Sequence, residues 1–368
     1  VRDLALGLPP GDIDLATVHR PDVARRRIEA AGWKAVPTGL AHGTMTAVHG
    51  DERLEVTTLR RDVVTDGRRA VVAFTTDWAE DAARRDFTIN ALYAHPLTGA
   101  LFDPTGEGLA DLAAGRVRFI GDPLRRIAED HLRILRFFRF HARFARGEPD
   151  AAALAACAER ANDLMALSRE RIRDELLKLL AGPRAVETVG LMVRLGILAA
   201  VLPEACDVDG LARMAAREAA LGLVPDPLVR LAALLPADAR LLDSVGARLR
   251  LSNAQRKRLA AMGERLTGPP GSPLGRAHAV AELAWWRGAQ GARDALLLGP
   301  AEPLAADMAQ LDAWARPRLP VSGADLVAAG VPPGPEVARR LAAIERAWVA
   351  GGFRASAREL LEQPQEQR

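Results

Sequence analysis

Apolar and polar residues alternate at short range over roughly the first third of the chain, and apolar residues then recur at helical spacing for the remainder. In the first part, Asp12-Ile13-Asp14-Leu15 reads as a short strand. Residues 22–32 (DVARRRIEAAG) read as a helix closed by Gly32. Three strand candidates follow at Thr44–Val48, Arg53–Leu59 and Ala70–Phe74, with Asp66-Gly67 as a turn between the last two. After about residue 116 the spacing changes. One long helical stretch over 123–146 is opened by Pro123, and helices follow at about 151–165, 168–181, 184–197 and 208–221. Pro203, Pro225 and Pro227 punctuate them, and 266–274 (LTGPPGSPL) reads as a linker. More helices lie beyond it, ending in a polar tail, Gln363–Arg368. The pattern predicts an α+β chain: a small α/β head, a sheet with a helix packed on it, followed by an all-helical body.

A chain of 368 residues suggests two or more domains. About half the residues are hydrophobic and only 4% are aromatic, and the abundance of Ala, Leu and Arg favours helices. The formal net charge is only +3, but Arg-dense stretches occur at 115–146 and 168–184. A basic stripe of that kind suits a polyanionic partner, and equally a solvated helical surface. The two cysteines, Cys157 and Cys206, lie far apart without partner motifs, so neither a disulfide framework nor a zinc site is expected. A reducing, cytoplasmic location fits. No apolar run approaches a membrane span and no signal peptide is visible. The chain opens on Val1, so removal of the natural N-terminus is an expectation.

The sharpest local feature is Gly7-Leu8-Pro9-Pro10-Gly11-Asp12-Ile13-Asp14. Residues two apart on a strand share a side, so Asp12 and Asp14 project together. Two like charges held close are costly without a cation between them, and carboxylate oxygens suit Mg²⁺. Such ions activate an attacking hydroxyl and stabilise a leaving pyrophosphate. Alone, D-x-D occurs mostly in surface turns. Glu55, on the second strand candidate, is a third carboxylate that a neighbouring strand could bring beside the pair. An exposed strand glutamate is the alternative, and the strand pairing stays open at this point.

Several segments in order resemble the nucleotidyltransferase superfamily, and within it class II tRNA CCA-adding enzymes and bacterial poly(A) polymerases. Val1-Arg2-Asp3, Leu6-Gly7 and Asp12-Ile13-Asp14-Leu15 resemble the family's GGxVRD…LG…DxDL motif, whose Gly-Gly pair, which helps hold the triphosphate, is absent here. Glu55-Val56-Thr57-Thr58-Leu59-Arg60 resembles the strand bearing the third carboxylate. Arg84-Arg85-Asp86-Phe87-Thr88-Ile89-Asn90-Ala91-Leu92 matches the RRD motif, which recognises the ribose. Arg85 has donors in fixed geometry for phosphate or hydroxyl oxygens, and Asp86 can accept from a sugar hydroxyl. Asp103-Pro104, Gly108 and Asp111-Leu112 resemble the motif joining head to neck, one residue longer here, and their carboxylates are given no direct role. Glu129-Asp130-His131-Leu132-Arg133 resembles the EDxxR motif, in which the Asp and Arg act as a protein template for the incoming base. At that spacing Asp130 and Arg133 are expected to share a helix face. Asp accepts from an exocyclic amine and Arg donates to a ring acceptor, so the pair admits C and A and rejects U and G. Val321–Leu326 and Gly334–Val337 look like the family's C-terminal segment.

The resemblance implies a nucleotidyltransferase-type head over 1–115, a helical neck over 116–182, a body over 183–268 and a tRNA-binding tail over 269–368. It implies Asp12, Asp14 and Glu55 as catalytic residues, with Mg²⁺ on Asp12 and Asp14. Arg2, Arg85, Asp86, Asn90, Asp130, Arg133, Arg136 and Arg139 are implied as nucleotide-binding. Arg143 and Arg146 read as solvated or as phosphate contacts, and Phe137, Phe138, Phe140 and Phe144 as helix-packing core. The implied partners are the tRNA 3′ end, CTP and ATP. Poly(A) polymerases carry an RRF-x-L-x-HV-like strand where this chain has Thr38–Thr44, which favours CCA addition. CC-only enzymes lack a flexible head loop that Arg61–Arg69 is expected to retain, so the terminal A is expected too. A non-catalytic RNA-binding protein on the same head is the contrasting class.

Overall fold

The computed structural model describes residues 1–9, 13–66, 69–266 and 272–362. Asp12, Gly67 of the expected turn, most of the Pro-rich linker and the tail after residue 362 lie outside the described residues. Two compact units are present, Val1–Ala205 and Cys206–Arg368.

The first unit opens with a short helix α1 (Arg2–Ala5) and a four-stranded sheet. Its strands are β1 (Asp14–Thr17), β2 (Lys34–Gly39), β3 (Thr44–His49) and β4 (Glu52–Thr58), in the order β1-β4-β3-β2. β1 runs parallel to β4, whereas β3 is antiparallel to both β4 and β2. Alternation sets the faces: Leu15, Val56 and Met45 lie in one row across the sheet, with Met45 buried. Helix α2 (Pro21–Ala30) packs on β2, β3 and β4. The sequence pattern did not single out β2. Pro37 interrupts its signal, and a proline is tolerated there because β2 is an edge strand.

The expected pairing of the next strands needs correction. β4 passes through Leu59 directly into β5 (Arg60–Asp66), and the hairpin partner of β6 (Arg69–Phe74) is β5. β5 and β6 pair in a register running from Arg60↔Phe74 to Asp66↔Arg69, so Asp66 ends β5 rather than following β4. Much of the stretch read as a flexible loop, Arg61–Asp66, is strand backbone.

Helix α3 (Trp78–Ala83) starts on an Asp77 cap, whose carboxylate accepts from the Ala79 N–H at 2.8 Å. The RRD segment follows it, then a two-strand ribbon, β7 (Tyr93–Ala94) and β8 (Leu101–Phe102), and α4 (Gly108–Ala114). Gly108 sits so close to the Thr88 backbone that a Cβ would lie 2.5 Å from the Thr88 carbonyl oxygen. Gly108→Ala should cost about 1–3 kcal/mol by overpacking, read as a lower melting temperature, and an unchanged melting temperature would show that this close approach is absent.

The expected helix over 123–146 is two helices, α5 (Pro123–Glu129) and α6 (Arg133–Phe144). Asp130 breaks them: its backbone is extended, and its side chain accepts from the Leu132 N–H at 3.1 Å instead of continuing the helix. Along α6 every residue is buried except Arg133, Arg136, Arg139 and Arg143, which form one stripe. Phe137, Phe138, Phe140 and Phe144 are core, as expected. Phe87 of the RRD segment packs on Phe119 and Phe140, with ring centroids 4.9 and 5.1 Å away, which fixes that segment against α6. The unit closes with α7 (Ala151–Glu159), which passes into a 3₁₀ turn at Ala161–Ala166, then α8 (Arg169–Leu180) and α9 (Ala185–Arg194); α6 packs on both α8 and α9.

The regular elements of the second unit among its described residues are all helices: α10 (Val208–Ala220), α11 (Pro227–Leu234), α12 (Ala239–Arg248), α13 (Asn253–Ala261), α14 (Arg276–Leu298), α15 (Ala305–Asp312), α16 (Gly323–Ala328), α17 (Pro335–Ala350) and α18 (Ala357–Glu362). Aspartate caps at Asp207, Asp226 and Asp238 start three of them. α14 is broken at Gly288, where φ is 72°.

Candidate active site

Two groups of side chains carry the site. The first is on the sheet. The parallel register of β1 and β4 sets Asp14 directly opposite Glu55, so the two carboxylates share one exposed face. The strand pairing that the sequence left open is thus in place. Neither carboxylate has a hydrogen-bond or ion-pair partner among the described residues, so two adjacent negative charges stand without a paired cation there. Hard oxygen donors without an internal cation fit a divalent ion. No cluster of three potential metal ligands occurs among the described residues, of which Asp12 is not one.

The second group is a chain of polar contacts between segments far apart in sequence. Arg2 donates through Nη1 to the Asn90 side-chain oxygen, and Asn90 donates to Asp86 at 2.9 Å. Arg136 donates to the other Asp86 oxygen at 2.6 Å, and Glu175 of α8 receives Arg139 and lies 3.7 Å from Arg136. Arg2 also lies over the Phe144 ring at 4.1 Å, while its neighbour Asp3 pairs with Arg143 at 3.1 Å, so α1 is seated on the α6 stripe. Burial pulls the Arg2 pKa below the usual guanidinium value against the opposing effect of Asp3.

Asp86 is only 6% exposed. Burial by itself would raise its pKa, but the Arg136 charge and the hydrogen bonds from Asn90, Arg136 and the Phe87 N–H outweigh it and hold the carboxyl below the usual range. One oxygen takes Phe87 and Asn90 and the other takes Arg136, so Asp86 stands inside the protein as an organiser of its neighbours. Arg85 lies over Tyr93 at 4.9 Å and donates to Asp81 and to the Asn90 carbonyl, each at 3.1 Å; its Nε is buried without a partner.

The expected shared helix face of Asp130 and Arg133 is not what the structure has, because Asp130 lies in the break before α6. Asp130 pairs with Arg171 of α8 at 2.7 Å. Arg133 pairs with Glu129 at 2.6 Å and donates to the Arg84 carbonyl at 3.0 Å, which joins the two motifs. Arg2, Asp86, Asn90, Arg136 and Arg139 therefore lie in one chain of contacts, with Arg85, Asp130 and Arg133 attached beside it. No described hydrogen bond or ion pair joins Asp14 or Glu55 to that chain.

Residues 1–118 match the family model described as the Poly A polymerase head domain, and residues 148–208 match one described as a probable RNA and SrmB-binding site of polymerase A. The chain is 34% identical over 387 residues to CCA tRNA nucleotidyltransferase 1, mitochondrial, of Mus musculus, across 98% of this chain and 84% of that protein. The chain belongs to the CCA tRNA nucleotidyltransferase family. The Danio rerio protein of the same name is 35% identical over 383 residues, with the same coverage. The crystal structure of the Bacillus stearothermophilus CCA-adding enzyme in complex with CTP superposes with a TM-score of 0.73 at 28% identity, covering 95% of this chain and 87% of that one. The mixed α/β head with a helical remainder is the fold of that family.

Sequence reasoning missed the residues that hold the site together. Asp81 is buried beneath Arg84, Arg85 and Tyr93, and its distances to Arg84 and Arg85 are 2.8 and 3.1 Å. Its spacing of three and four residues before those arginines was a usable signal. Glu175 and Arg171 carry no such local signal toward α6 or Asp130, because their partners come from packing.

Proposed function

We propose that this chain adds C, C and A in turn to the 3′ end of tRNA from CTP and ATP, without a nucleic-acid template, with pyrophosphate leaving at each addition. The observation that supports this reading best is the register that sets Asp14 beside Glu55, with no ion-pair partner for either among the described residues. Asp12 and Asp14 would hold Mg²⁺, with Glu55 supporting. Magnesium bound there would supply charge neutralisation for the α-phosphate and the leaving pyrophosphate. Arg2 and Arg85 bind the nucleotide's phosphate and sugar oxygens, and Asn90 is oriented toward the same ligand by Asp86. Asp130 accepts from the exocyclic amine of C or A while Arg133 donates to the adjacent ring acceptor, and Arg136 and Arg139 extend the contact. The tRNA 3′-hydroxyl attacks the α-phosphate, so positioning and charge neutralisation are the main contributions. The helical remainder binds tRNA phosphates and shape, and reads no base sequence.

We place this activity in the cytoplasm. Cys157 and Cys206 are both free thiols, which suits a reducing compartment, and no helix among the described residues is long and apolar enough to cross a membrane.

The test is incorporation into a tRNA transcript lacking CCA, with Mg²⁺, CTP and ATP, beside an Asp12→Ala control. Addition of C, C and A that the control loses is the expected result. Long adenosine tracts would point to a poly(A) polymerase, arrest at CC to a CC-only enzyme, and no incorporation to a binding protein.

A further inference from the structure

We infer that Arg171 of α8 is a specificity-determining positioning residue, which acts by keeping Asp130 from pairing with Arg133. This inference rests on the base-reading role proposed for those two residues.

An aspartate and an arginine three residues apart are natural ion-pair partners, and such a pair would consume the acceptor and donor that a base must meet. Yet Asp130 and Arg133 form no ion pair with each other among the described contacts. Each is held by a different residue of opposite charge. Arg171 lies 2.7 Å from one Asp130 oxygen, and the Leu132 N–H lies 3.1 Å from the other. Glu129 lies 2.6 Å from Arg133, which also donates to the Arg84 and Arg126 carbonyls at 3.0 Å. The anchors differ in strength. Arg133 has a carboxylate and two carbonyls, whereas Asp130 has one charge-assisted contact and one neutral one. Asp130 is therefore the member free to swing, and Arg171 is what prevents it. A carboxylate oxygen has two acceptor positions, so an Asp130 oriented by Arg171 keeps capacity for a base amine. α8 is also well placed for this role: its Glu175, one turn on, receives Arg139, so one helix holds both Asp130 and the middle of the α6 stripe.

Without Arg171, Asp130 turns toward Arg133 and the reading pair neutralises itself. Arg171→Ala should then raise KM for CTP and ATP and lower the preference for CTP over UTP by about tenfold, as double-mutant couplings between contacting residues commonly do. Arg171→Lys, which keeps the charge, should recover most of the preference, with Arg171→Gln between them.

The measurement is kcat and KM for CTP and UTP on a tRNA transcript lacking CCA, and for ATP on one ending in CC, for the full chain and for these variants, each also combined with Asp130→Ala. Loss of the Arg171 effect in the Asp130→Ala background is the expected result. A merely structural Arg171 would lower the melting temperature and kcat while leaving the CTP-to-UTP ratio in place, and that outcome overturns the inference. So does an Arg171→Ala effect that persists at full size beside Asp130→Ala. If Arg171→Ala does not fold, the Gln and Lys variants decide by the same ratio. If Asp130→Ala alone leaves the ratio untouched, the base-reading assignment itself falls, which separates the two failures.

Discussion

Asp86→Ala should destabilise the first unit by about 3–5 kcal/mol, the usual result of removing one partner from a buried ion pair. The variant leaves the Arg136 guanidinium with the more distant Glu175 as its one ion-pair partner among the described residues, and it strips Asn90 and the Phe87 N–H of their acceptor. For a unit of this size the loss amounts to roughly 10 °C in melting temperature. The pH dependence gives an independent check. The carboxyl of Asp86 sits below its unfolded value, so it binds its proton less readily when folded and contributes stability above the ordinary carboxylate range. That contribution disappears as pH falls through the folded value. The gap in melting temperature between wild type and Asp86→Ala should therefore be full at neutral pH and close in acid, below about pH 4. A gap that is absent at neutral pH, or independent of pH, would show that the Asp86–Arg136 pair is not formed in solution. Asp81 is held low in the same direction, with burial opposing Arg84, Tyr93 and the Arg60 N–H, so the wild type should lose stability in acid through both groups.

The residues of the candidate site could be named from the sequence because motifs report residue types at short spacing. Asp14, Glu55, the RRD segment and the Asp130/Arg133 pair could all be named before any contact was known. What a short segment could not report was who holds whom. Asp86 reads as a ribose acceptor in a linear motif, and the motif alone does not report that Asn90, the Phe87 N–H and Arg136 all donate to it, with Arg136 arriving from another helix. The break at Asp130 was hidden for a similar reason: the apolar spacing of 123–146 continues through it, and only the side-chain bond to the Leu132 N–H shows why the helix stops. In the fold, β3 and β4 followed from clean alternation, whereas β2 was masked by Pro37 and β5 by the charged residues at its start. Those are features of edge and ribbon strands, whose solvent exposure weakens the period-two pattern.

Asp14→Asn separates function from fold most sharply. Asp14 and Glu55 stand opposite each other on parallel strands, exposed, with no ion-pair partner among the described residues. Like charges directly across a sheet repel, so nothing in the fold explains their juxtaposition. Taking one charge away should leave the melting temperature unchanged or slightly higher in the absence of metal. Activity should move the other way. If the pair supports the ion that neutralises the reacting phosphates, kcat for CMP addition should fall by about 10²–10³-fold, the scale seen when one preorganised charge-stabilising group is removed. Raising the Mg²⁺ concentration should recover part of the loss, because a site with one carboxylate fewer binds the ion more weakly. Glu55→Gln should show the same signs with a smaller loss, as befits a supporting carboxylate. The combination matters more than either reading alone. A fall in activity with a matching fall in melting temperature would make Asp14 a structural residue of β1, and full activity in the variant would remove the carboxylate pair from catalysis. Retained stability with lost, magnesium-responsive activity is the outcome that an unpaired pair of strand carboxylates predicts.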